Sequence, residues 1–374
     1  MKTFFNLVQE VQKPGLCHHC GGCLTFCTAI NFGALEADED GRPRYKDIEK
    51  CIECGICYEI CPEIGSLDEE MKRNVAWSAP TGRIIETTVA RATDEKVREL
   101  ATDGGVITAL LLHLFDIGRI DGAIVTKQTG LFRREPCLAT TKEEILESAG
   151  FHFDASHGMA LFSDAYSTYS PSIVELEDLA KQGLHRVAFV GTPCQIKTMR
   201  KMETLGIVPS EAIRYHFGLF CSGNFEFGPE QRKKLEEIGG FQWADVDHIN
   251  VKDALQIHLN NGKAKFIPLD KLAFMRRYAC RYCEDYSAEY ADISFGGIGS
   301  PEGWTTVITR TPVGRAVFAD AKEADIQEYT YKDNPKFATE ALHKLTQWSE
   351  MKKEAARKHH DELGAKTVSV KEFH

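Results

Sequence analysis

Two short stretches concentrate most of the chemistry this chain can offer. The first, CHHCGGCLTFCT, holds Cys17, Cys20, Cys23 and Cys27, and the second, CIECGICYEICP, holds Cys51, Cys54, Cys57 and Cys61. Both have the spacing C-x2-C-x2-C-x3-C, so the second repeats the first. Thiolates are soft ligands, and three of them at this spacing wrap three irons of a cubane. The fourth cysteine of each run then reaches the neighbouring cluster. The expected sets are Cys17, Cys20 and Cys23 with Cys61, and Cys51, Cys54 and Cys57 with Cys27. Gly21, Gly22 and Gly55 lie between ligands, where glycine lets backbone amides turn toward the cluster sulfurs. Pro62 follows Cys61, whereas Thr28 follows Cys27; a residue there shapes the chain but donates no ligand. Zinc sites or disulfides do not account for eight thiols in two matched runs. Nor is CHHC a haem attachment, which needs C-x-x-C-H, because Gly21 follows Cys20. The two runs are read as two 4Fe–4S sites.

The other five cysteines are scattered. Cys280 and Cys283 form a C-x2-C pair far from the runs, in RRYACRYCEDYSAEYADISFGGIGSPEGW. Cys194 in GTPCQ and Cys221 in GLFCSGN each follow an apolar strand and enter a glycine-containing turn. Either these four thiols converge on one metal group with the pair as anchor, or Cys194 and Cys221 are buried structural thiols. Spacing leaves both open. Cys137 in RREPCLATT has no partner pattern and is read as non-functional. Gly297, Gly299 and Gly303 make G-x-G-x3-G, but strand-like WTTVITR follows where a dinucleotide fingerprint needs a helix. Close approach of backbone to a planar or phosphate-bearing ligand stays open. Asp103, with Gly104 and Gly105, stands at the start of an apolar helix. It is either a helix cap or part of a helix terminus offering free amides to a phosphate.

The scaffold for these residues has ordinary composition, with 374 residues, 43% hydrophobic and 27% charged. A net charge of −10 argues against nucleic acid as the partner. No apolar run reaches the roughly 18 residues of a membrane span. VITALLLHLF is the longest approach and contains His113. The N-terminal sequence lacks a secretory pattern, so a cytoplasmic location is expected, where cysteines serve as metal ligands more often than as disulfides. The fold expected is α+β, a two-cluster 4Fe–4S domain over 1–80 followed by a mixed α/β body over 81–335. Helical spacing covers Val106, Ile107, Leu110, Leu111 and Leu114, with the strand AIVT after it. HRVAFVGTPCQIKTMRKM reads as strand, turn and helix, and DALQIHLNNGKAKFIPL as a hairpin. Residues 336–374 read as a polar tail, helical at best, with nothing catalytic visible.

Four of these segments, in this order, resemble the beta-subunit family of coenzyme F420-reducing hydrogenases and F420-linked formate dehydrogenases. They are TDGGVITALL (102–111), VGTPCQI (190–196), GLFC (218–221) and CRYCEDYSAEYADISFGGIGSPEGWTTVITRT (280–311). The N-terminal module is similar to the bacterial-type two-cluster ferredoxin that some members carry. The resemblance implies a flavin-binding body with FAD and one 4Fe–4S cluster, three clusters in all, and coenzyme F420 as the hydride substrate. It places the body cluster on Cys194, Cys221, Cys280 and Cys283, and the FAD pyrophosphate at the amides of Asp103, Gly104 and Gly105. The loop with Gly297 and Gly299 would lie beside the flavin, and Arg276, Arg277 and Arg281 are candidates to hold anionic groups. The family commonly has a Gly-Ser-Lys-Tyr-like stretch where this chain has Phe151, His152 and Phe153 within LESAGFHFDASHGMALF, without a lysine.

The activity implied follows from electron counting. A cubane carries one electron and a hydride two, so a flavin must split the pair. The expectation is an F420-dependent oxidoreductase subunit passing electrons between F420, by way of FAD and three clusters, and a partner. That partner would be a catalytic or electron-accepting redox subunit of hydrogenase, formate dehydrogenase or heterodisulfide-reductase type. The alternatives are a flavin and iron–sulfur reductase of another organic substrate, or a relay subunit without hydride chemistry. No general base is expected.

Overall fold

The computed structural model describes residues 2–27, 32–38, 42–130, 133–150, 184–207, 210–226, 228–251, 254–330 and 337–371. Its centre is an eight-stranded mixed sheet. The strands are β3 (Glu86–Ala92), β4 (Gly122–Gly130), β5 (Arg133–Ala139), β6 (Val187–Gly191), β7 (Ile213–Leu219), β11 (Ile293–Gly296), β12 (Thr305–Thr309) and β13 (Ile326–Glu328), in the order β13-β3-β12-β11-β7-β6-β4-β5. β4, β6, β7 and β11 run parallel, with antiparallel neighbours on both flanks. Parallel strands are covered on both faces, which is why VAFVG and ISFG are almost continuously apolar and buried. Away from this sheet, β1 (Leu35–Ala37) and β2 (Pro43–Tyr45) form a ribbon. β8 (Val246–Val251), β9 (Ala254–Leu259) and β10 (Ala264–Pro268) form a small antiparallel sheet around its own core. The β9–β10 pair is the hairpin read from the sequence.

Helices α1 (Val106–Asp116) and α4 (Pro312–Ala321) cover one face of the large sheet. Leu110, Leu111 and Leu114 of α1 are fully buried there, and truncating any one to alanine costs about 2–5 kcal/mol. His113, the polar residue in that apolar run, binds Asp325 through Nδ1 at 2.7 Å and faces Asp320 through Nε2 at 3.4 Å. It staples α1 to the end of α4. Helix α2 (Pro193–Thr204) lies on the opposite face, started by Pro193 and a Thr192–Gln195 capping box. Helix α3 (Pro229–Gly239) belongs to the small sheet, whose core takes in its Leu235. Phe4, Leu7, Phe26 and Ile60 of the N-terminal module share one apolar cluster with Phe189, Ile196, Met199 and Met202 of the body. Module and body therefore pack as one core, across the boundary expected near residue 80. The polar tail is the long helix α5 (Phe337–Lys371), whose Ala341, Leu345, Ser349 and Ala356 are buried. No helix among the described residues is long and apolar enough to cross a membrane.

Candidate functional site

The two N-terminal runs build two neighbouring cavities. One is lined by Cys51, Cys54 and Cys57 with Cys27, walled by Phe4, Phe26 and Leu35. The other is lined by Cys17, Cys20 and Cys23 with Cys61, and is closed by Ile60, Pro62 and Thr198 of α2. Each run thus sends its fourth cysteine to the cavity of the other. The backbone repeats as well as the sequence: His19 and Glu53 have φ of 52° and 55°, and Gly21 and Gly55 have φ of 82° and 74°. These left-handed residues reverse the chain inside each run, and only the glycines adopt them without strain. Among the described residues no two cysteines are joined by a disulfide. Burial pushes Cys17 up to about 11 and Cys57 up to about 12, and the crowded neighbouring thiols add to both shifts. Buried, crowded thiols held back from ionising, as Cys17, Cys23, Cys57 and Cys61 are, suit a group that brings its own positive charge, as metal centres do.

The four body cysteines come from three places. Cys194 sits in the first turn of α2, Cys221 lies two residues past β7, and Cys280 and Cys283 lie in and after the short turn Tyr278–Arg281. Burial raises the thiols of Cys194 and Cys221, and Cys283 is a further cause for both. Cys221 and Cys283 also feel Cys280. The four thiols therefore lie within electrostatic reach of one another. The amide of Asn224 donates to Cys280 Sγ at 3.3 Å, and the Thr192 hydroxyl lies 3.3 Å from Cys194 Sγ. Cys280 alone is held below the usual thiol value, because His18 outweighs the effect of burial. His18 belongs to the module. Burial disfavours its charge, but the Glu63 carboxylate bound to it prevails and lifts it to about 10. Arg277 Nη1 donates to the His18 carbonyl at 3.0 Å, and Cys20 Sγ lies 3.5 Å from the hydroxyl of Thr198, which donates to the Cys194 carbonyl. The Cys17–Cys61 cavity and the body set are thus neighbours.

Beside the body cysteines opens a cavity of about 330 Å³. It sits at the C-terminal ends of β4, β6, β7 and β11, the place where parallel sheets bind ligands. Asp103, Gly105 and Gly297 line it, as do Phe220, Tyr286 and Trp348. Asp103 and Gly297 nearly touch, since a Cβ on Gly297 would lie 2.8 Å from Asp103 Oδ2. Gly105 caps α1 in the left-handed region with no side-chain cap bond, so Asp103 is not the cap, and the first turn of α1 opens into the cavity. Phe220, Tyr286 and Trp348 form a row with ring centroids 5.9 Å apart at both steps.

Other expected residues lie elsewhere. The Gly104 amide donates to Thr305 Oγ1 at 2.9 Å, and a Cβ there would meet the Ala90 carbonyl at 2.6 Å, so Gly104 packs the sheet instead of facing the cavity. Gly299 packs against Ala341 of α5. Arg281 donates to the Ala273 carbonyl at 3.2 Å and is not among the lining residues, while Arg276 packs along Gly223. Cys137 lies on edge strand β5 opposite Val125. Phe151, His152 and Phe153 fall outside the described residues.

The reading of the tail needs correction. Trp348 lines the cavity, and Lys352, one turn on, donates through Nζ to the carbonyls of Cys221 and Asp285, both at 2.7 Å. Burial opposes the charge of Lys352, but the thiols of Cys283, Cys221 and Cys280 outweigh it and hold its pKa above the usual lysine value. The buried series Ala341, Leu345, Ser349 and Ala356, with Trp348 and Lys352 beside it, has the helical spacing from which this face could have been found. The lysine and histidine mixed into it hid that signal.

Residues 184–334 match the model of the carboxy-terminal part of the coenzyme F420 hydrogenase/dehydrogenase beta subunit, residues 87–163 that of its N-terminal part, and residues 9–62 a 4Fe–4S dicluster domain. The chain is 32% identical to a coenzyme F420 hydrogenase subunit beta of Methanothermobacter thermautotrophicus, over 74% of this chain and 94% of that protein. It is 30% identical to a coenzyme F420-dependent sulfite reductase of Methanocaldococcus jannaschii, over 83% of this chain and 46% of that protein. Among solved structures it resembles a chain of the F420-reducing NiFe hydrogenase complex from Methanosarcina barkeri. That match has a TM-score of 0.65 and 26% identity over 76% of this chain and 94% of the other.

Proposed function

Because the chain belongs to the coenzyme F420 hydrogenase/dehydrogenase beta-subunit family, we propose that it is an F420-dependent oxidoreductase subunit that holds FAD and three 4Fe–4S clusters. Flavin, when bound, exchanges a hydride with F420 and releases electrons singly, which iron–sulfur clusters can take. The observation that carries this reading is the double position of Cys221, which lines the cavity and lies within electrostatic reach of Cys194, Cys280 and Cys283, with Cys280 packed against Gly223 two residues on. A group in the cavity and a group on those cysteines would share that residue as their boundary.

The cavity walls suit a flavin nucleotide. The first turn of α1 presents backbone amides to a diphosphate, and the seam between Asp103 and Gly297 admits only a glycine at 297. Asp103 would accept hydrogen bonds from sugar hydroxyls. Phe220, Tyr286 and Trp348 exclude water beside Cys221. Beyond it, His18 and Cys20 bring the Cys17–Cys61 site against the body set, and the Cys27–Cys57 site stands farthest along the module. That order runs from the cavity toward a catalytic or electron-accepting partner subunit. The F420-dependent sulfite reductase, which matches this chain over less than half its own length, supports a scaffold that serves different acceptors.

The test is anaerobic purification with flavin and iron analysis, followed by an assay of the F420 absorbance under a reduced partner or dithionite. The expected result is one flavin and about twelve irons per chain, with bleaching of F420. Iron and sulfide without flavin would leave only a relay role, and flavin without F420 turnover would remove F420 as substrate.

A further inference from the structure

Three lysines of this chain sit beside the carbonyls or side chains that frame the cysteine sites, and their surroundings differ. Lys353 pairs with Glu289 at 2.6 Å. Lys201, fully buried against the carbonyls of Cys61 and Ile64, has Asp68 at 3.4 Å. Lys352 has no such ion pair among the described residues: Nζ donates to the carbonyls of Cys221 and Asp285, and of the negative groups that favour its charge the thiols of Cys283, Cys221 and Cys280 come before the Asp285 carboxylate. The Asp285 carboxylate is turned to the Glu289 amide, at 3.0 and 3.2 Å. His18 and Arg277 approach the body cysteines from the module side, so Lys352 is the cation supplied by α5.

A buried ammonium is retained where something negative compensates it. Four thiolates carry more negative charge than an oxidised cubane core carries positive charge, and reduction adds one more electron. We propose that Lys352 is the counter-charge of the cluster held by Cys194, Cys221, Cys280 and Cys283, and that it raises the reduction potential of that cluster relative to the same cluster without it. The proposal rests on the reading of those four cysteines as a cluster site. Its physical basis is that net local charge and hydrogen bonding set iron–sulfur potentials, and a fixed positive charge favours the reduced form. In this arrangement α5 does more than close the cavity with Trp348. It makes the body site the favoured first acceptor of single electrons.

The experiment uses the full chain with its clusters and compares Lys352→Gln, which keeps a donor for the carbonyls but not the charge, Lys352→Met and Lys352→Arg. Iron content is measured first, and midpoint potentials follow from an EPR-monitored titration with dithionite and mediators. The two neutral variants should keep about twelve irons and shift the body-cluster equilibrium toward the oxidised form by about tenfold, about 59 mV for one electron. Lys352→Arg and the two module clusters should not move. Loss of four irons in both neutral variants but not in Lys352→Arg would also support the counter-charge role. A full iron complement with an unchanged midpoint overturns it, as does equal iron loss in all three. Only about eight irons in the wild-type protein would sink the cluster reading itself, a separate failure.

Discussion

In the N-terminal module, three of the four cysteines at each cavity come from seven consecutive residues, 17–23 or 51–57, whereas the body gathers its four from positions between 194 and 283. The module's sites are therefore shaped by local backbone, with paired left-handed residues at His19 and Gly21 and at Glu53 and Gly55. The site proposed for the body forms only after β6, β7 and the Tyr278–Arg281 turn have been brought together. One kind of site depends on its own loop. The other depends on the whole fold.

That contrast breaks most directly at the body pair. Cys280→Ser with Cys283→Ser should remove about four of twelve irons and stop electron flow from F420 to the module, while the module's EPR signals persist. Equal loss from all sites would erase the contrast. A second test acts at a distance. Asp292 accepts from Arg200 at 3.0 Å, from Thr311 at 2.7 Å and from the His216 amide at 2.8 Å, tying α2, α4 and β7 together. Asp292→Asn leaves buried Arg200 with only the half-exposed Glu203, at 2.8 Å, as charge partner and should cost about 1–3 kcal/mol, with iron lost from the body site before the module. Burial alone would raise the Asp292 carboxyl, but Arg200 and its hydrogen bonds hold it well below the usual range. A depressed carboxyl contributes stability that is full above its unfolded pKa of about 4 and fades as pH falls through the folded value. Thermal unfolding from pH 6 downward should thus show a steeper acid limb in the wild type than in Asp292→Asn. The smallest effect is expected inside the module. Gly55→Ala, at φ 74°, should cost about 1–2 kcal/mol of local strain. It should broaden only the EPR signal of the Cys27–Cys57 site.

The same division explains what could be read from the chain. The two runs announced their cross-over pattern because spacing along a loop is spacing in space, and both cavities gather the cysteines so paired. Helix α1 and the β9–β10 hairpin were equally legible from periodicity. The sheet order was not: β3 lies between β12 and β13, far from it in sequence, because long-range pairing leaves no local trace. Glycines hid their roles too. Gly297 yields to Asp103 in the cavity and Gly299 to Ala341 outside it, although they stand two residues apart. Lys352 was invisible for another reason, since a lysine in a polar helix looks solvated until its packing is known.

The shared core of module and body has a practical meaning for anyone wishing to dissect or recombine this chain. Lys201 is fully buried, and its two carbonyl acceptors, from Cys61 and Ile64, both belong to the module. A truncated protein starting at residue 81 would strand that ammonium on α2 and bare the apolar surface that Phe4, Leu7 and Phe26 now cover. The module is not a detachable cassette, and a ferredoxin grafted in its place would have to reproduce those carbonyls as well as the iron.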